Sequence, residues 1–427
     1  MHLITSFTGA RGVRYPAPDV ARGFMLLLIA VANVPQWSRA PAESAGTFQA
    51  SVADAWWVFV RTLFVDHRAY PLFAMLFGFG LMTMVNRRIA SGTRAYLQSL
   101  PGVGAGREPT AQEESWAREQ ATVDARRLVR RRGWWMILFG FVHGIFFVGD
   151  IIGVYGLVAV VFAGWLSRKR YIALCIGGVV IAAVAVCAYM AIDLFPPEMA
   201  AQMSGEQVSS TPTALPWFVI NISGWIFALF AQFLITLIVP AAVIGARLAD
   251  TDIIIHPERH RGLLMAMGIG GLTLGIGGAL HSALTKVMSI PAWSWDFVTK
   301  EFFGLGGACG WLALLALYAG GPREGGGLTG LRRLASAVGR RSMTAYLSQT
   351  ILFGFIFVIV PLLVTGERLW LGQAAAALVA AAVWLATVGL CAVLERGGHA
   401  GPFETLLRTA VARSERKRPR PAPPSAS

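Results

Sequence analysis

Apolar runs of roughly 17 to 25 residues, the length that crosses a ~30 Å hydrocarbon layer as a helix, recur from one end of the chain to the other. They predict about ten spans, over 20–37, 70–85, 133–148, 151–166, 171–194, 215–246, 262–284, 302–320, 343–365 and 369–394. A further apolar stretch, 55–65, is short and interrupted by Arg61, and it reads as a helix lying at the outer surface or dipping in. The fold class that follows is all-α: a polytopic helix bundle in a membrane.

Composition agrees with that pattern. Of 427 residues, 55% are hydrophobic and 14% charged, with a mean hydropathy of +0.58, against about a quarter charged in a soluble domain. The net charge of +14 raises the question of a nucleic-acid partner. The basic residues, however, sit between apolar segments and form no contiguous face, which argues against one. They set the topology instead. With the N-terminus inside, 31 of the 37 Lys and Arg fall in inner segments and 6 in outer ones, so both termini are expected in the cytoplasm. Arg11, Arg14, the run 24–31 and Ala40-Pro41-Ala42 loosely resemble a cleavable signal, but Asp19 and Arg22 open the apolar stretch and Asn33 follows it, so a retained first helix is expected. Cys175, Cys187, Cys309 and Cys391 lie inside apolar spans, where cysteine acts as a small hydrophobe. They write neither a disulfide framework nor a metal site, and no metal is predicted.

One transmembrane domain is expected over 1–412, with a cytoplasmic loop at 87–132 and a disordered, basic, proline-rich tail at 413–427. Within the loop, Thr110-Ala-Gln-Glu113 has the spacing of a capping box, opening a charged helix that runs into the third span. Its basic end, Arg126 to Arg132, suits either an inner anchor or a phosphate-bearing ligand such as a coenzyme or a lipid headgroup. Glycines crowd 268–278 and 304–310; such spacing lets helices approach closely, with a groove for an acyl chain as the lesser reading.

Ionisable groups in hydrocarbon are expensive and mark cavities, pathways or reaction sites. His143 lies eleven residues beyond Arg132, and Asn33 eleven beyond Arg22, which sets both ~16 Å into the membrane. Asp150 falls near the outer end of its span with the loop residues Asp66, His67 and Arg68, and His281 reaches the outer half of its helix. An imidazole at His143 serves either as interhelical glue or as a general base oriented by Asp150. On an unbroken helix the two are ~10 Å apart, so a shared cavity with a bridging substrate or water fits better than a tight dyad, unless the helix breaks near Gly149. Asp19 and Arg22 are one turn apart and are expected to pair. Tyr346 and Gln349 add hydrogen-bonding groups to the ninth span. Asn221-Ile-Ser223 matches a glycosylation sequon but lies in an apolar span.

Several of these residues recur in an ordered set: Asp19-Val-Ala-Arg22-Gly23 with Asn33, Arg68-Ala-Tyr70-Pro-Leu-Phe73 running to Gly80, His143 with Gly149-Asp150 and Tyr155, Gly339-Arg340 with Tyr346 and Gln349, and Gly401-Pro402-Phe-Glu404 with Arg408. The set resembles the YeiB-like proteins of the bacterial inner membrane, a domain-of-unknown-function family (family 418), across nearly the whole chain. The first-helix pattern is also similar to transmembrane acyltransferases of the heparan glucosaminide acetyltransferase type. That second resemblance implies acyl-coenzyme A as donor and an acyl group passed across the membrane. Ser44 stands where those enzymes carry their catalytic histidine, which leaves His143 as the replacement base and His67 as the second candidate.

The function expected is therefore acyl transfer from a cytoplasmic thioester to a small-molecule or lipid-linked acceptor, in a multi-pass protein of the bacterial plasma (inner) membrane. His143, Asp150 and Asn33 would be catalytic, and His67, Arg68, Asp66, Tyr155, His281, Tyr346 and Gln349 would line the cavity. Membrane lipids are the other expected partners, and a homo-oligomer is compatible with such a bundle. The alternative is a proton-coupled transporter or exporter of a small molecule or lipid, against which the chain shows no internal repeat.

Overall fold

The computed structural model describes residues 15–38, 51–191, 216–288, 290–291, 295–322 and 327–415. In chain order the helices are α1 (Pro16–Asn33), α2 (Pro35–Ser38), α3 (Val52–Phe64), α4 (Ala69–Gln98), α5 (Ala111–Gly144), α6 (Ile152–Ser167), α7 (Tyr171–Met190), α8 (Trp217–Ile235) and α9 (Ile238–Leu248). They continue with α10 (Arg261–Met288), α11 (Asp296–Ala319), α12 (Gly330–Gly339), α13 (Ser342–Gly354), α14 (Val360–Thr365), α15 (Gln373–Arg396) and α16 (Pro402–Arg413). The described residues form no strand, and they contain 8 helical stretches long and apolar enough to cross a membrane. This is an all-α, multi-pass membrane protein.

Two of the expected spans differ in kind from the rest. The third is the last part of α5, a helix of 34 residues that is charged up to Arg132, and the fourth is α6, only 16 residues long. The span expected over 215–246 is two helices, α8 and α9, with extended backbone at Thr236 between them. Pro240 explains the break, because it has no N–H to return to the carbonyl of residue 236. The Thr236 hydroxyl instead accepts from the amide of Ile238 at 3.4 Å.

The described residues fall into two compact units. The first draws on Met1–Ala40, Ala50–Phe73 and Thr251–Gly401. Its helices meet backbone to backbone: Gly23 of α1 lies under the Ala335 carbonyl of α12, and Gly339 under that of Asp19. α10 and α11 close on each other where Gly271 faces Gly306 and Gly310, and where Gly275 faces Gly307, which bears out the packing role of both glycine runs. At one end of the unit Arg22 pairs with Asp19 at 3.4 Å, and Arg341 and Arg340 both pair with Glu395, the former at 2.8 Å. At the other end α3 begins with a capping box in which Ser51 and Asp54 bond reciprocally, and Asp54 also accepts the Ala374 amide at 2.8 Å, tying the start of α15 to the start of α3.

The second unit draws on the described residues of Ala74–Asp250 and Pro402–Ser427. α5 and α6 pack through Gly133 against Gly156 and Gly140 against Gly153. Asp250 gathers three elements: Asn86 donates at 2.8 Å, Lys169 at 2.9 Å and Tyr171 at 2.5 Å. Burial acts to raise the Asp250 carboxyl, but those three donors hold it below its ordinary range. α4 continues through most of the first part of the expected loop and leaves only residues 99–110 non-helical before α5. The far part of α4 runs beside α5, with the Tyr96 hydroxyl on Asp124 at 2.7 Å and the Tyr96 ring edge-on to Trp116 at 5.6 Å.

The capping box at the start of α5 forms as its spacing predicts. Glu113 receives the Thr110 amide at 2.8 Å and Arg107 Nη2 at 2.6 Å. The Arg107 and Thr110 bonds pull the Glu113 carboxyl down from 4.5 to about 2. A depressed carboxylate stabilises the folded turn above its unfolded value, and that contribution disappears as pH falls from about 4.5 toward 2. Thr110→Ala removes the cap and is expected to speed amide exchange of the first turn about fivefold, equivalent to ~1 kcal/mol of lost capping. Hydrogen-exchange mass spectrometry on residues 111–116 reads this directly, and unchanged exchange would refute the cap.

Candidate functional site

His143 sits in the last turn of α5, which ends at Gly144, and Asp150 precedes the first turn of α6. The helix therefore breaks between them, six residues earlier than Asp150, and the chain folds back through the turns over 145–150. The ~10 Å separation expected along a continuous helix is replaced by direct contact: His143 Nδ1 lies 2.8 Å from Asp150 Oδ1. This corrects the expectation of a bridging molecule, because the break lets the carboxylate turn back onto the ring. Both side chains are buried, at 5% and 0% exposure.

Asp150 is held from four directions. Oδ1 accepts His143 and the Ile152 amide at 3.1 Å, and Oδ2 accepts the Gly153 amide at 2.8 Å and Trp225 Nε1 at 3.3 Å. The two amides are unsatisfied donors at the start of α6, where the helix dipole also favours a negative group. The carboxylate contact at Nδ1 fixes the orientation of the imidazole ring. Glycine makes the fit: a Cβ at Gly140 would meet Asp150 Oδ2 at 2.5 Å, and one at Gly144 would enter the Trp225 ring. Tyr155, one turn further along α6, is buried and stacks on Phe77 at 4.9 Å.

In the first unit a separate polar cluster forms where the turn between α3 and α4 docks on α10 and α11. His67, in the left-handed region at φ 59, places Nδ1 2.6 Å from Glu301 Oε1, and Tyr70 donates to the other oxygen of Glu301. Arg68 is buried, and its guanidinium donates to the carbonyls of Thr62 at 3.1 Å, Asp66 at 2.6 Å and Gly275. It fits because Gly275 and Gly307 leave a slot, since a Cβ on either would stand 3.1 and 3.0 Å from Arg68 Nε. Asp66 pairs with Arg61 at 3.2 Å, and Arg61 reaches Gln373 at 3.0 Å. His281 stands 3.6 Å from Asp296.

The expected site residues thus fall into sets. His143, Asp150 and Tyr155 belong to the second unit, whereas Asn33, Asp66, His67, Arg68, His281, Tyr346 and Gln349 belong to the first. Asn33 ends α1 half-buried; Tyr346 is buried, and Gln349 donates to the Leu26 carbonyl of α1 at 3.3 Å. Ser44 lies outside the described residues, as do Arg11, Arg14, the 40–42 stretch and most of the basic tail. Sequence reasoning missed Glu301 and Trp225. Glu301 carried a signal, an acidic residue at the mouth of an apolar span, while nothing in the sequence marks the indole of Trp225. Asn221 donates to the Ile145 carbonyl at 2.8 Å, just beyond the end of α5.

With this geometry in place, comparison with known proteins adds one match. Residues 248–414 match the family described as Protein of unknown function (DUF418). The chain carries a DUF418 region. The YeiB-like resemblance read from the ordered set is thereby borne out in the DUF418 part of the chain, which spans most of the first unit and α16. No curated protein and no solved structure matches the chain.

Proposed function

We propose that this DUF418 protein is a bacterial inner-membrane acyltransferase, moving an acyl group from a cytoplasmic coenzyme A thioester to a hydroxyl or amine acceptor on the far side or in the lipid. The observation that carries the reading is the buried His143–Asp150 pair, an imidazole held by a carboxylate at 2.8 Å. Its placement supports the donor as well. The same helix that carries His143 in its last turn carries Arg126, Arg127 and Arg130, half-buried or exposed, about four to five turns earlier, where they offer charge to the phosphates of a coenzyme.

In this reading His143 Nε2 takes the acceptor's proton as its oxygen or nitrogen attacks the thioester carbonyl. The new C–O or C–N bond forms, the C–S bond breaks, and the proton passes from His143 to the departing thiolate. Asp150 holds the ring and stabilises the transient imidazolium.

The test uses the full chain in native membranes, which supply acceptors, with radiolabelled acetyl-coenzyme A as donor. Overexpression is expected to raise label transfer and thiol release, and His143→Ala to lower both by at least ~100-fold, the low end of a general base's contribution. Transfer in the variant equal to wild type overturns the role of His143. An absence of transfer, combined with solute flux driven by a proton gradient in proteoliposomes, would replace the enzyme with a transporter.

A further inference from the structure

α8 is an apolar helix with most of its surface exposed. Ile226, Phe227 and Phe230 are exposed at 46%, 60% and 53%, whereas Trp225 and Leu229 are buried. The inward face carries Asn221, Trp225 and Gln232, spaced by four and seven residues and therefore aligned on one stripe. All three address the segment joining α5 to α6: Asn221 takes the Ile145 carbonyl at 2.8 Å, Trp225 takes Asp150 Oδ2 at 3.3 Å, and Gln232 approaches the Asp150 carbonyl at 3.5 Å. The indole itself is seated in a glycine niche, since a Cβ on Gly144 or Gly153 would collide with it, and Phe141 closes one side edge-on at 5.7 Å. A polar stripe on a helix otherwise facing hydrocarbon is costly unless it does something, and here its bonds converge on the break that creates the His–Asp contact.

We propose that Trp225 is a positioning residue: its indole N–H fixes Asp150 Oδ2 so that Oδ1 stays aimed at His143, and α8 thereby acts as the brace that keeps the dyad formed. The carboxylate has one rotatable end and four donors. Two of these, the amides of Ile152 and Gly153, move with its own helix, so Trp225 is the donor that ties the carboxylate to a different helix from the two that carry the dyad. For catalysis this rests on the acyltransferase reading; for the geometry of the dyad it does not.

The experiment joins two readouts on full-length protein in nanodiscs. The first is the downfield imidazole N–H resonance of His143 in histidine-labelled protein, assigned by its loss in His143→Ala. The second is the split of acetyl transfer into kcat and KM. Trp225→Phe keeps an aromatic ring in the niche while deleting the N–H donor and the indole's second ring. It is expected to shift or broaden the His143 resonance and to lower kcat roughly tenfold with KM unchanged, a fraction of what a general base supplies. Asn221→Ala removes a brace that does not touch the carboxylate and is expected to leave the resonance in place. If Trp225→Phe does not accumulate, Asp150→Asn gives the reciprocal measurement, displacement of the Trp225 indole N–H signal. An unchanged His143 resonance in Trp225→Phe, or an unmoved indole signal in Asp150→Asn, overturns the proposal. If no acyl transfer is found while these resonances move, the function reading fails and the positioning role stands.

Discussion

Alanine at position 150 is expected to cost the folded protein about 3–5 kcal/mol, the range for removing one partner from a buried charged contact. Asp150 accepts from His143, Trp225 and the amides of Ile152 and Gly153. Truncation strands all four donors at once at a buried position. The loss should appear as a fall of roughly 10 °C in the melting temperature of detergent-solubilised protein. Asparagine keeps the shape and one acceptor oxygen but turns an NH2 toward two existing donors, so an intermediate fall is expected. A melting curve for Asp150→Ala that superimposes on wild type would show that the four contacts do not hold this region together.

The second large effect belongs to the first unit. A methyl group at Gly339 would fall on the Asp19 carbonyl oxygen, and one at Gly23 on that of Ala335. In both cases the obstacle is backbone in an opposing helix, which cannot rotate away as a side chain does. Overpacking costs about 1–3 kcal/mol, occasionally more, and Gly339→Ala and Gly23→Ala are expected at the upper end, with little monodisperse protein recovered by size-exclusion chromatography. Gly277→Ala is the control, because a Cβ there meets nothing within 4 Å. Normal recovery of Gly339→Ala would mean that α1 and α12 can separate without loss of the fold.

The fold was largely readable because hydrophobic length and cap chemistry are local properties. Thr110 and Glu113 announce the start of α5, and the glycine runs announce the close packing of α10 with α11. The break before Asp150 was harder, since Gly149 made it conceivable but only the tertiary pull of Trp225 and the α6 amides rewards it. The division of the α8–α9 span followed from Pro240, a signal present in the sequence but outweighed by continuous hydropathy. For the candidate residues, the contacts they make were not legible. His143 and Asp150 were flagged as a pair and turn out to touch, and His67 was flagged without Glu301, which lies 234 positions away. Long-range pairing depends on how helices cross, and periodicity along one chain carries no record of that.

α5 has a practical use that follows from its length. Its 34 residues make a rod of ~51 Å, and the 22 charged-end residues before Gly133 account for ~33 Å of it, beyond what hydrocarbon would cover. Braced by α4 through Tyr96, Asp124 and Trp116, this stretch is stiff and is joined to α4 at its tip by residues 99–110. Grafting a rigid carrier protein into that tip would give single-particle electron microscopy an alignment marker held stiffly to the helix that carries His143.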